Sequence, residues 1–289
     1  MAGGSLDGTI AVVCGGAGEV GAGIVAGLLG AQATVAVPSR SAARLDDLEA
    51  ELKAGGVPTE RLVPITGNLS GGEQHARQVA ADVCECAGAP DLVVAALGGW
   101  DSGPPLADME LAQWDAAVHD GLRAHHLAMH AFVPRLRGRP GAGYVMINGA
   151  AARYPVAGSG AVSTVAAGEL MAGQVLAAEE AGNGIQVEAY VLGPVRTRSR
   201  TEAAGWMADA TDIGQLIAHR HAARVAGDGK AAGGAGPITV MEILTSGDVG
   251  RARETPAGGV RGARAGRAGW VMWGLQTGGL ARQVRRARG

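Results

Sequence analysis

The stretch Val12-Val13-Cys14-Gly15-Gly16-Ala17-Gly18-Glu19-Val20-Gly21 holds the first residues whose types and spacing suit a chemical task. An apolar run, Thr9 to Val13, leads into it, and an apolar helical run, Gly23 to Leu29, leads out. Glycines at 15, 18 and 21 let the backbone pass close to a pyrophosphate, which then sits on the positive end of the following helix. With 49 glycines in the chain the spacing alone says little; the strand before and the helix after make it a phosphate-binding turn. A second apolar run, Ala33 to Val37, ends in Pro38-Ser39-Arg40-Ser41. An acid at that tip would hold the paired ribose hydroxyls of NAD. Ser39 and Arg40 stand there instead, and a guanidinium favours a 2′-phosphate, so NADP is expected over NAD.

Groups able to move protons come next. Tyr154 has Arg153 beside it, which would make its hydroxyl more acidic, and Ser159 and Ser163 are hydroxyls nearby. Packing or loop anchoring is the plainer role for Tyr154. His119, His125, His126 and His130 share one helical stretch. His126 and His130 are one turn apart, but without a third ligand they make no metal site. Asp101 follows Gly98-Gly99-Trp100, where it would touch a substrate or simply be solvated, and Trp100 would line a pocket. The three cysteines, Cys14, Cys84 and Cys86, are too few and too poorly partnered for zinc, and their small odd number fits a reducing cytoplasm.

The elements that must position these groups alternate along the chain. Strands are expected at Thr9–Val13, Ala33–Val37, Arg61–Thr66, Asp91–Leu97, Gly143–Ile147, Ile185–Val191 and Ile238–Leu244. Helical spacing occupies Ala42–Ala54, Glu73–Ala87, Met109–Leu136 with a break near Asp120-Gly121, and Val162–Ala181. The near-continuous apolar character of Asp91–Leu97 fits a strand buried on both faces. The expected fold is therefore α/β: a single Rossmann-type, doubly wound parallel sheet of about seven strands with helices on both faces, over residues 1–247. Arg198 to Gly236, polar and Gly-rich, reads as a lid over the ligand crevice.

The bulk properties agree. The chain has 289 residues, 47% of them hydrophobic and 18% charged, enough for one large core. Net charge is −2, but from Arg251 onward nine arginines face one acid, Glu254, so the tail carries +8 and the rest −10. An acidic body does not suggest a nucleic-acid-binding domain. Residues 248–289 read as an Arg/Gly-rich extension, disordered or docking a partner, with one apolar patch at Trp270-Val271-Met272-Trp273. No export signal is expected at the first residues, and no apolar run approaches the roughly 20 residues of a membrane helix.

Over roughly residues 7 to 245 the chain resembles the short-chain dehydrogenase/reductase family. The landmarks come in the family's order: the Gly15–Gly21 turn, with its GxxGxxG spacing; Ser39-Arg40 where NADP-preferring members carry a basic residue; Asn68-Leu69 near the adenine; Gly98 after the fourth strand; and Gly193-Pro194-Val195-Arg196-Thr197 after the sixth. The resemblance implies that Gly15, Gly18, Glu19, Val20, Gly21, Ser39, Arg40, Asn68, Leu69, Gly98 and Thr197 hold the cofactor, Thr197 at the nicotinamide amide. It also implies self-association, here through Met109–Leu136 and the helix from Val162, where Ala167, Gly168, Ala172 and Gly173 permit close approach. The family's chemical positions are not kept. Val162 stands at the tyrosine, Ala166 at the lysine, Gly149 at the serine and Gly121 at the asparagine, and no Tyr-x-x-x-Lys occurs anywhere. Hydride transfer to a carbonyl needs a proton donor and stabilisation of the developing alkoxide, and valine and alanine supply neither.

The expectation is an atypical, cytoplasmic NADP-dependent oxidoreductase acting on a small carbonyl-type substrate, self-associating or paired with a related subunit. A catalytically silent nucleotide-binding partner or sensor, and a non-redox dehydratase, isomerase or cyclase, stay open beside it.

Overall fold

Alternation within the strands decides how the layers form. In β1 (Ile10–Cys14), Ala11 and Val13 enter one core while Val12 and Cys14 enter another, as a two-residue period requires. The structure, a computed structural model, describes residues 5–200, 204–227 and 238–254. Following β1 are β2 (Thr34–Ser39), β3 (Leu62–Thr66), β4 (Leu92–Ala95), β5 (Gly143–Gly149), β6 (Gln186–Leu192), the two-residue strands β7 (Val195–Arg196) and β8 (Ala208–Asp209), and β9 (Thr239–Ile243). Seven of them form one parallel sheet in the order β3-β2-β1-β4-β5-β6-β9, and β7 pairs with β8 apart from it. Val12 lies beside Ala36 of β2 and Val93 of β4. The chain turns from building leftward to building rightward at β1 and β4, and a crevice opens beyond the strand ends at such a switch point.

The helices are α1 (Glu19–Gly30), α2 (Ala42–Ala54), α3 (Glu73–Cys86), α4 (Leu111–Val118), α5 (Ala124–Leu136), α6 (Gly160–Glu179), α7 (Ala210–Ala226) and α8 (Ser246–Glu254). Ile24, Leu28, Leu45, Leu48, Ile213, Leu216 and Val249 put α1, α2, α7 and α8 on one face of the sheet. Val79, Val83, Leu127, Phe132, Leu170 and Leu176 put α3, α5 and α6 on the other. Local chemistry starts two of these helices: the Ser41 hydroxyl accepts from the Arg44 amide, and the Asp209 carboxylate accepts from the Thr211 amide at 2.7 Å.

The doubly wound sheet is the one expected, and the break in the long helix falls where the sequence put it, as a π-helical turn over His119–Arg123 between α4 and α5. Three expectations need correction. Of the lid expected over 198–236, α7 is instead a core helix, with Ile213, Leu216 and Ile217 buried against α1, and residues 201–203 and 228–236 lie outside the described residues. The sequence suggested a polar segment because the apolar residues of α7 form a single stripe between charged ones. The extension expected from Asp248 begins as part of the body, since α8 buries Asp248, Val249 and Ala252; the apolar patch at 270–273 lies outside the described residues. Finally, α6 is a 20-residue helix long and apolar enough, by length and composition, to cross a membrane. It serves here as a core helix, with Leu170, Leu176 and Ala177 packed on the sheet.

Candidate cofactor and active site

The turn after β1 is built by contacts that exclude side chains. Gly15 has φ +82, and a Cβ on it would run into the Ala96 carbonyl oxygen. A Cβ on Gly21 would run into the Gly15 carbonyl oxygen, and one on Gly18 would lie 3.1 Å from the same atom. Gly18 is the N-cap of α1 and brings no capping side chain. The first-turn amides of α1 therefore face outward over a turn made of backbone, an arrangement that suits an anion. Cys14, at the end of β1, is fully buried, and burial pushes its thiol up to about 12, so it is no nucleophile.

The rim of this turn is strongly charged. Glu19, the first residue of α1, accepts from the Ser199 hydroxyl at 2.6 Å, the Ser199 amide at 3.2 Å and Arg198 Nε at 3.1 Å. Partial burial raises its pKa, but hydrogen bonds from Ser199, Thr197 and Arg198 outweigh that and hold it at about 2. Arg198 also pairs with Glu51 of α2 and donates to the Ala17 carbonyl at 3.1 Å. Arg44 of α2 donates to that same carbonyl at 3.1 Å. A small cavity opens between Ala17, Arg44, Asp47, Glu51 and Arg198.

The residues expected to hold a cofactor thus divide. Gly15, Gly18, Gly21 and the backbone of Glu19 and Val20 form the turn. Ser39, at the end of β2, uses its hydroxyl on the Ser41 carbonyl, and Arg40 is exposed in the bend that follows. Asn68 precedes a short 3-10 turn in which Leu69 is buried. Gly98, with φ +81, lies just past β4. Thr197 is drawn to Glu19 at the head of α1. Sequence reasoning missed Arg44 and Arg198. Arg44 lies one helical turn beyond Arg40, a spacing that could have suggested it; Arg198 reaches the turn from 181 residues away, and nothing local announces it.

The proton-transfer candidates fare differently. Tyr154 donates to Glu242 of β9 at 3.3 Å, while Arg153 pairs with the other oxygen of Glu242. Burial and the Glu242 carboxylate raise the Tyr154 hydroxyl, opposite to the acidification expected from Arg153. Tyr144 and Tyr190 are fully buried, and burial raises both well above the ordinary range. Ser159 donates to the Asp101 carbonyl at 3.3 Å, tying the Trp100 loop to the start of α6. Ser163 is half-buried, its hydroxyl oxygen out of solvent and unsatisfied, and the Asp101 carboxylate caps the Ser102 amide at 2.8 Å. The His130 ring accepts from Arg77 Nε at 2.9 Å, and no metal-binding cluster exists among the described residues.

Two buried groups meet instead beneath Gly98. His125 Nε2 of α5 and Glu169 Oε2 of α6 are 3.8 Å apart, their side chains 1% and 7% exposed. Burial raises the Glu169 carboxyl to about 8 and lowers the His125 imidazole to about 4, with the Leu97 backbone pulling the imidazole slightly back. Neither ring nitrogen has a hydrogen bond of good geometry.

The chain matches the short chain dehydrogenase family over residues 9–208. No curated protein matches it. Among solved structures, it is similar to an NADPH-bound short chain oxidoreductase from Pseudomonas aeruginosa PAO1 described as containing an atypical catalytic center, at 22% identity and TM-score 0.69, covering 83% of this chain and 96% of that one. A short-chain dehydrogenase/reductase from Serratia marcescens is 18% identical, with TM-score 0.68 and coverage of 83% and 99%. A metagenomic short-chain oxidoreductase in complex with NADP is 25% identical, with TM-score 0.65 and coverage of 82% and 98%.

Proposed function

The chain belongs to the short-chain dehydrogenase family, and from that premise we propose that it is an NADP(H)-linked oxidoreductase of a small carbonyl-type substrate that works without the family's tyrosine and lysine. The observation that carries the reading is the backbone cradle: Gly15 and Gly21 admit no Cβ beneath an uncapped helix start, with the Arg44 and Arg198 guanidiniums on the Ala17 carbonyl at its rim. These residues fit a dinucleotide. The α1 amides would take the pyrophosphate, and Arg44 with Arg40 would take a 2′-phosphate. Glu19 is negative at the same helix end, but Ser199 and Arg198 draw its carboxylate aside. The NADPH and NADP held by two similar proteins support the same cofactor here.

A bound nicotinamide supplies or takes hydride; the chain must orient the substrate, exclude water and move one proton. Val162 and Ala166 cannot move a proton, the Tyr154 and Tyr190 hydroxyls are engaged by Glu242 and Glu188, and Tyr144 is fully buried. Calorimetric titration with NADPH and with NADH tests the reading. The wild type is expected to bind NADPH more tightly, and Arg44→Ala to weaken NADPH by roughly tenfold to a hundredfold, the worth of one charge-assisted hydrogen bond, with NADH little changed. No binding of either nucleotide would overturn it.

The second reading, a catalytically silent nucleotide-binding subunit, is favoured by the loss of all four chemical positions and by the Arg198 clasp across the turn. Turnover of any carbonyl substrate by the pure chain would exclude it. A cytoplasmic location and self-association through the outer face of α6 are part of the same proposal. No nucleic-acid or membrane partner is proposed.

A further inference from the structure

The glycine turn carries a charge that works against its own use. Glu19 is the first residue of α1, the helix end whose amides stand uncapped over the turn. A carboxylate is drawn to that end by the same field that draws a phosphate. Left to itself, Glu19 would lie over the amides, and its charge would repel a pyrophosphate arriving there.

It does not lie there. The carboxylate accepts from the Ser199 amide at 3.2 Å and the Ser199 hydroxyl at 2.6 Å through Oε2, and from Arg198 Nε at 3.1 Å through Oε1. Among the described residues none of its hydrogen bonds goes to an α1 amide. Arg198 is itself held at three points. Its Nε meets Glu19, one terminal nitrogen pairs with Glu51 of α2, and the other donates to the Ala17 carbonyl at 3.1 Å. The planar guanidinium thus spends each nitrogen on a different part of the fold: α1, α2 and the turn between β1 and α1. Ser199, the next residue, adds its two bonds from the same side of the sequence. Burial raises the Glu19 pKa, but hydrogen bonds from Ser199, Thr197 and Arg198 hold it at about 2. Protonation therefore never removes this charge near neutral pH; it has to be placed.

We infer that Arg198 and Ser199 are positioning residues of the nucleotide cradle: they hold the Glu19 carboxylate off the α1 amides and so leave those amides to the pyrophosphate. The inference rests on the cofactor reading above. It puts residues beyond β7 in control of a helix start 179 residues earlier in the chain. Two plainer roles lead to different outcomes. Were Arg198 only a cation for the phosphates, or only a tie between α1 and α2, its loss would weaken nucleotide binding whatever side chain stood at position 19.

The experiment is a double-mutant cycle on the full chain, with the Kd for NADPH read by calorimetry. Arg198→Ala should weaken NADPH roughly tenfold to a hundredfold, as the carboxylate returns to the amides. Glu19→Gln keeps the shape and removes the charge. Its gain in NADPH affinity should be about tenfold larger in the Arg198→Ala background than in the otherwise wild-type chain. Equal gains in the two backgrounds, or no gain in either, overturn the inference. Ser199→Ala removes one hydroxyl and leaves Arg198 in place; it should show the same coupling in smaller measure, and it serves if Arg198→Ala does not fold. Carbon-13 NMR of the glutamate carboxyls gives a readout without nucleotide. Glu19 should titrate near 2 in the wild type and rise toward 4.5 in Arg198→Ala. A Glu19 that already titrates near 4.5 in the wild type overturns the inference and leaves the cofactor reading standing. If the wild type binds neither NADPH nor NADH, the cofactor reading fails, and the same cycle run with inorganic pyrophosphate decides the inference: coupling supports it, and additive or absent effects overturn it.

Discussion

At Glu19, Glu169 and His125 the fold sets three charges against their ordinary chemistry, and each leaves a mark on stability. Glu19 is held at about 2, below its ordinary 4.5, so the unfolded chain binds its proton more readily. Its contribution is present above 4.5 and is lost as pH falls toward 2. His125, lowered to about 4 from 6.5, acts in the same direction: the stability is present above 6.5 and lost as pH falls through 4. Glu169 acts oppositely. Raised to about 8, it favours the folded state fully below 4.5, and that advantage is lost as pH rises through 8. Denaturation followed across this range should therefore show an acid limb that flattens in Glu19→Gln and an alkaline limb that flattens in Glu169→Gln. Limbs unchanged by either substitution would mean that these groups titrate normally in the folded chain.

At the scale of elements, the contact between α1 and α7 is made by absent side chains. A Cβ on Gly27 would lie 2.6 Å from the Gln215 amide, and one on Gly214 would lie 2.6 Å from the Ile24 carbonyl. Backbone meets backbone there, so a side chain cannot be absorbed by a rotamer change. Gly214→Val should destabilise by about 1–3 kcal/mol or more through overpacking, lowering Tm by roughly 2–4 °C per kcal/mol in a body of this size. Thermal unfolding measures it, and an unchanged Tm would show that the helices can part without cost. Of the small residues of α6 expected to permit self-association, Gly173 faces inward, while Ala167 is exposed and Gly168 and Ala172 are half-buried. A Cβ on Gly173 would meet Met146 Sδ at 2.6 Å, so that glycine serves packing within the subunit, whereas one on Gly168 would make ordinary contact with Leu122 at 3.5 Å.

For the whole molecule, the two cores differ in how their far edge is finished. On β6 the Glu188 carboxylate and the Tyr190 hydroxyl form one cluster with Arg220 and Arg224 that joins the sheet to α7. On the opposite face α5 and α6 leave a groove of about 700 Å³ between them, with Met129, Met171 and Val175 along it. Met171 is 58% exposed and Val175 47%. If this face joins copies of the chain, light scattering should find an oligomer that Met171→Glu with Val175→Glu disperses, without change in Tm of the separated subunit. A wild-type chain that runs as a monomer would overturn that arrangement.

How much was legible from sequence follows from the range of the forces involved. The seven parallel strands, the break at Asp120-Gly121 and the Gly15–Gly21 turn were readable because apolar periodicity and glycine placement act over a few residues. The missing tyrosine and lysine were also readable, since they are statements about which residues are absent from a register. The roles of Arg198 on the glycine turn, Glu242 on Tyr154 and His125 on Glu169 were not, because those partners are 181, 88 and 44 residues apart. By itself the sequence determined the sheet, the glycine turn after the first strand and the absence of any Tyr-x-x-x-Lys. Only the tertiary structure decided which carboxylate lies buried without a guanidinium, because desolvation depends on everything packed around a group and not on its neighbours in the chain.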